Sequence, residues 1–257
     1  MMTIFSFKRD SYKLSEDERK VLLMMLDFFK YEIPDGNGSY LAMLDLENVD
    51  FYWSPAMALT DDGVFGSWSF ACQDKVFIRP SENSMGLASR LKTMKLSGKE
   101  KDAAERILSY EGYAFNQFKN LNLDNELLKF VIYLCEGDGA MLSTVFHELY
   151  HKWQFNVSKF LYIVNFFAFL FTGYELSTKN KFSIEGDVRR YIDNEELHSK
   201  IRKFYCTFYQ FLYAVNRLEV EKDEAMKAEL ENELETLKQD NFRYFIFCEK
   251  MLKTLQE

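Results

Sequence analysis

The sequence predicts an α+β protein, predominantly helical, with a small antiparallel sheet placed ahead of a central helix. Three observations lead to that class. The 257 residues are 47% hydrophobic and 28% charged, a balance that buries a core and excludes a disordered chain. Only 11 Gly and 3 Pro punctuate them, too little turn chemistry for a many-stranded sandwich or barrel. Apolar residues also recur at helical spacing through much of the chain. Acidic side chains (40) outnumber basic ones (32), and the formal charge of -8 repels a phosphate backbone, so no nucleic-acid partner is expected. Cys72, Cys135, Cys206 and Cys248 lie far apart with no C-x-x-C pair and read as reduced core thiols of a cytoplasmic protein. Residues 1–20 carry neither an apolar h-region nor a small-residue cleavage site, and no secretory signal is expected.

The elements follow in order. A helix is predicted from Ser15 to Tyr31, where Ser15 caps with Glu18 three residues on, Val21, Leu22, Met25, Leu26 and Phe29 form an apolar stripe, and Pro34 ends the run. Turn-rich stretches at 34–38 and 60–63 enclose a short strand at Phe51-Tyr52-Trp53. Ser67 to Ala71 alternates polar and apolar, and Lys75 to Arg79 follows after a brief turn, which predicts a β-hairpin at the edge of a small sheet. A helical stretch beginning at Ser97 would turn Ala103, Ala104, Ile107, Leu108, Tyr110 and Phe115 inward. Another apolar stretch, Leu127 to Leu134, ends at Gly137-Asp138-Gly139, where the next helix starts.

Residues 160–171 are apolar but for Asn165, short of the ~20 needed to span a bilayer, and read as a buried core helix. The other reading of this segment is a lid or an exposed patch that meets a partner protein or a membrane surface. From His198 to Arg217, Ile201, Phe204, Tyr205, Phe208, Phe211, Leu212 and Val215 predict a buried aromatic helix face. The charge-dense run from Glu219 to Asp240, with Leu230, Leu234 and Leu237, is expected to pair antiparallel with Phe242 to Leu255.

The chemistry lies in Thr144-Val145-Phe146-His147-Glu148-Leu149-Tyr150-His151-Lys152-Trp153, which contains H-E-x-x-H. Residues four apart on a helix differ by only about 40° in direction, so His147 and His151 can reach one cation. Glu148, about 100° from His147, falls beside that cation, where a carboxylate can take a proton from water acidified by Zn²⁺. The pattern uses two of only 3 histidines, and a shuffled chain of this composition would contain it in roughly a few cases per thousand. A third ligand is required. His198 is one candidate; the better one is Glu185, because a helix over residues 183–192 puts Glu185 and Val188 on one inward face. No Gly-rich phosphate loop and no G-x-S-x-G elbow competes with this scheme, and nothing supports a thiol protease built on Cys135 or Cys206.

These residues resemble the zincin metallopeptidases of the gluzincin kind, in which H-E-x-x-H is followed on a second helix by E-x-x-A-(D/N). Glu185-Gly186-Asp187-Val188-Arg189 is similar to that second motif, as it occurs in ImmA/IrrE-like intracellular zinc proteases, and departs from it at Val188 and Arg189. The resemblance covers roughly residues 68–194. It implies Zn²⁺ held by His147, His151 and Glu185, with Glu148 as general base and peptide hydrolysis, more endo- than exo-, as the reaction. A short sheet whose edge strand binds extended peptide is implied as well, Lys75 to Arg79 standing in the matching place. Residues 1–197 would then be the peptidase domain, with a helical insertion at about 84–136, and residues 198–257 a C-terminal helical extension packed on it.

For the oxyanion donor the sequence offers Tyr191, Arg189, Arg190, Tyr174 and His198, of which Tyr191 is taken first. Asp187, Asp193 and Glu195 are either orienting carboxylates or, more simply, solvated charges. The expected partner is a protein or peptide substrate, with further protein contacts through residues 160–171 or the C-terminal helices; no membrane association is expected. The competing class is a non-catalytic binding or scaffolding protein that keeps the zincin fold.

Overall fold

Chemistry at Ser15 starts the fold locally. The computed structural model describes residues 10–31, 44–59, 66–68, 74–80, 87–96, 98–109, 125–136, 141–172, 184–192 and 195–256. In it the Glu18 N–H donates to Ser15 Oγ and the Ser15 N–H donates to Glu18 Oε2 at 2.7 Å, the reciprocal capping box that the sequence predicts. Helix α1 (Glu16–Phe29) follows, and its buried residues are Val21, Leu22, Met25, Leu26 and Phe29. The second oxygen of Glu18 accepts from the Trp53 indole N–H at 3.2 Å, so one carboxylate both starts the helix and ties it to the sheet.

The sheet has four described strands, β1 (Tyr12–Lys13), β2 (Asp50–Trp53), β3 (Gly66–Trp68) and β4 (Lys75–Ile78), in the order β1-β2-β4-β3. Strands β3 and β4 pair antiparallel with Trp68 opposite Val76, the predicted hairpin. Strand β2 lies parallel to β4, Phe51 opposite Val76, so the sheet is mixed and corrects the antiparallel sheet expected from the sequence. Side-by-side placement puts Phe51 and Trp53 on the same face as Val76 and Ile78, in the main core, while Tyr52 and Phe77 share the other face with Met57. It also makes β4 an interior strand. Among the described strands, the edge beside the central helix is therefore β3, not Lys75 to Arg79.

After the short helix α2 (Pro55–Ala58) and the sheet, α3 (Leu87–Thr93) and α4 (Lys99–Ser109) form a small separate core of Leu87, Leu91, Ala103, Ala104 and Ile107 against Ala58 and Leu59. Leu108 is exposed rather than inward, because it sits about 100° round the helix from Ile107. Helix α5 (Glu126–Cys135) belongs to the main core, and its cap Asn125 donates to the Leu255 carbonyl at 2.8 Å. Pro34, Tyr110, Phe115, Cys72, Gly137 to Gly139 and the turns at 34–38 and 60–63 lie outside the described residues.

Helix α6 (Met141–Val157) is the centre. Around it stand α7 (Lys159–Thr172), α8 (Ile184–Tyr191) and α9 (Glu195–Val220), and the chain closes with α10 (Glu224–Asp240) and α11 (Phe242–Gln256) packed on α9. Ile201, Phe204, Phe208, Phe211 and Leu212 are buried as the spacing predicts. A Phe28–Phe247 stack at 4.0 Å links α1 to α11, so one hydrophobic core runs from the first helix to the last. Helix α7 corrects the buried-core reading: Tyr162 and Asn165 are buried, but Phe160 and Phe171 are 75% and 80% exposed. No described helix is long and apolar enough to cross a membrane. Cys135 and Cys248 are buried free thiols whose pKa values burial pushes up; Cys206 is a free thiol too, but exposed, which corrects its reading as a core residue.

A polar staple fixes α6 against the chain that leads into β2. The Lys152 ammonium is buried, donates to the Asn48 carbonyl at 2.9 Å and stands 3.5 Å from Asp45 Oδ2. Burial works against the Asp45 carboxylate, but the Asn48 N–H groups and the Lys152 charge outweigh it and hold its pKa below the ordinary 3.8. A carboxyl depressed by folding stabilises fully above its unfolded pKa and loses that contribution as pH falls through the folded value. Asp45→Asn should therefore lower stability by about 1 kcal/mol near neutrality, with the difference from wild type shrinking below about pH 4. Urea unfolding of both proteins across pH checks it; a difference that grows in acid would contradict the assignment.

Candidate metal centre

Of the eight buried polar or charged residues described, five stand on α6: Ser143, Glu148, His151, Lys152 and Gln154. The same helix buries Leu142, Val145, Phe146, Leu149 and Tyr150. Apolar positions at helical spacing thus lock the helix into the core and carry its polar groups inward with them.

His147 and His151 project together as four-residue spacing requires, and their Nε2 atoms are 2.9 Å apart. Helix α8 delivers Glu185, anchored by the buried Ile184, Val188 and Ile192. Its Oε2 lies 3.7 Å from His147 Nε2 and its Oε1 3.5 Å from His151 Nε2. One ligand atom from each of the three residues falls within 4.8 Å of the others. Separations near 3.3 Å are what a tetrahedral ion with bonds of about 2.0–2.1 Å demands, so two imidazoles and a carboxylate fit a zinc-like cation. The site is walled on one side and open on the other. Tyr162 lies edge-on to the His151 ring at 6.3 Å and packs with Trp68 and Phe155, whereas the side chains of His147 and Glu185 remain 20% and 42% exposed.

Glu148 is 8% exposed, and its Oε2 accepts from the Trp68 N–H at 2.6 Å. That N–H belongs to edge strand β3, whose close approach depends on Gly66: a Cβ there would meet Thr144 Cγ2 at 2.7 Å and Glu148 Cγ at 3.0 Å. The sequence reading missed both residues, because a strand-to-helix contact across 80 residues has no local signature. Gln154 was missed too. Its Oε1 is 3.0 Å from His151 Nδ1, and its Nε2 donates to the Ile184 carbonyl at 3.1 Å. Here a signal existed, since Gln154 stands three residues after His151 and shares its helix face.

His198, the rival third ligand, is instead 2.8 Å from Ser143 Oγ through its Nε2, tying α9 to α6 outside the three-residue group. Asp187 is half-buried on α8 and Glu195 is exposed at the start of α9. Tyr174, Asp193 and the side chains of Arg189, Arg190 and Tyr191 lie outside the described residues. The chain matches no family model, no curated protein and no solved structure.

Gly66→Ala should push β3 off α6, lengthen the Trp68–Glu148 bond and destabilise the protein by about 1–3 kcal/mol. Thermal unfolding and protection of the Trp68 amide from hydrogen exchange report the two effects; an unchanged Trp68 amide would show that the strand does not need the glycine.

Proposed function

We propose that the protein is a zinc-dependent endopeptidase of the zincin kind, with the gluzincin and ImmA/IrrE-like resemblance of its motifs as the guide. The observation that carries this reading is the convergence of His147, His151 and Glu185, from two separate helices, on one small volume. When bound, a zinc ion would polarise a peptide carbonyl and make water acidic near neutral pH.

The chain's own groups then divide the work. Glu148 takes the proton of the attacking water and passes it to the leaving amine. The Trp68 N–H holds Oε2 of that carboxylate and so fixes its orientation. Trp68, Phe155 and Tyr162 keep water from one side of His151 and lower the local dielectric. A protein or peptide substrate enters from the exposed side of His147 and Glu185, and Tyr191, on the helix that carries Glu185, is the proposed donor to the tetrahedral oxyanion. The three described cysteines are unpaired, which supports a reducing, cytoplasmic setting.

A second reading, a zincin-fold binding protein without catalysis, draws on the outward aromatic side chains Phe160, Phe167 and Phe171 of α7 as a face for a protein partner.

Metal analysis of untagged protein should find about one zinc per chain. His147→Ala should lose it. Glu148→Gln should keep it while cutting hydrolysis of a loosely folded protein by about 10²–10⁴-fold. Equal cleavage by Glu148→Gln would remove Glu148 from the mechanism, zinc retained without any cleavage by the wild type favours the binding protein, and wild type free of metal would end the peptidase reading and leave the binding protein.

A further inference from the structure

Gln154 is 1% exposed, yet its amide reaches both halves of the candidate centre. The orientation of that amide follows from its partners. A backbone carbonyl only accepts, so the –NH₂ of Gln154 must point at the Ile184 oxygen 3.1 Å away. Its Oε1 is thereby left 3.0 Å from His151 Nδ1. An amide oxygen likewise only accepts, so Nδ1 carries the hydrogen, and in the neutral ring it is Nε2, the atom that faces His147 and Glu185, that presents the lone pair.

We propose that Gln154 is the positioning residue of the metal centre: it fixes the tautomer of His151 and holds the first residue of α8, and with it Glu185, at the distance a shared cation requires. The proposal rests on the reading of His147, His151 and Glu185 as zinc ligands. It also accounts for the residue type. A carboxylate in this place would accept from His151 Nδ1–H but would turn a second acceptor toward the Ile184 carbonyl, and an aliphatic side chain would serve neither; an amide serves both. Asparagine is one methylene shorter and could not span the two partners from the same Cα.

The test uses the full chain and zinc alone as the probe. In metal-free wild type, nitrogen NMR of its 3 histidines should show the His151 ring with hydrogen on Nδ1 and a lone pair on Nε2. Zinc titration should then give about 10–100-fold weaker binding for Gln154→Leu, with Gln154→Glu recovering part of the loss because it keeps the acceptor for His151. A drop in thermal stability shared by both variants would not reproduce that ordering, which separates positioning from a merely structural role. Hydrogen on Nε2 of His151 in the wild type overturns the proposal without any variant, so a Gln154→Leu protein that fails to fold does not shield it. Zinc binding by Gln154→Leu within twofold of wild type overturns it while leaving the metal reading intact. Wild type that takes up no zinc overturns both.

Discussion

Two imidazole nitrogens 2.9 Å apart on one turn of α6 set the terms for everything around them. Two neutral rings that face each other lone pair to lone pair repel, so either one nitrogen carries a hydrogen toward the other or the two share a cation. Glu185 strengthens that demand by bringing carboxylate oxygens to 3.5 and 3.7 Å from the same two atoms. A proton serves one donor–acceptor line. A divalent cation with affinity for nitrogen serves all three groups at once, and its binding is coupled to release of whatever proton the rings held.

Such a turn is useful only if the helix beneath it does not shift, and α6 is held from four directions by buried polar contacts. Ser143 meets His198 on α9, Glu148 meets the Trp68 N–H on β3, Lys152 meets Asn48 and Asp45 ahead of β2, and Gln154 meets Ile184 at the start of α8. Apolar packing alone tolerates small slides, because many side-chain arrangements bury nearly the same area. A hydrogen-bonded network tolerates fewer, since each displaced partner leaves a polar group buried and unsatisfied. The helix therefore has a unique position, which a metal site with bonds defined to a few tenths of an ångström requires.

What the sequence disclosed divides along the same physical line. Features set within one or two turns were legible: the Ser15–Glu18 box, the Phe29 stripe, the H-E-x-x-H turn and the helix that carries Glu185 all follow from local spacing. The parallel pairing of β2 with β4 was not, because strand order depends on which distant faces complete the core. For the same reason the edge at the candidate site passed from Lys75–Arg79 to Gly66–Trp68. Residues 160–171 misled differently. Continuous apolar composition carries no facing information, so it could not say that Asn165 would turn inward and Phe160 and Phe171 outward.

The last constraint is charge. The chain is acidic overall, at -8, and its candidate site gathers two of its 40 acidic residues, Glu148 and Glu185, near the apolar group Trp68, Phe155 and Tyr162. Burying Glu148 carries a desolvation penalty that the Trp68 N–H at 2.6 Å helps to offset. The low dielectric that makes the burial unfavourable also magnifies attraction to any nearby cation. In the proposed reading, a doubly charged ion held by His147, His151 and Glu185 would place positive charge beside both carboxylates. Charge balance and donor chemistry would then favour the same occupant, the divalent ion of the proposed function.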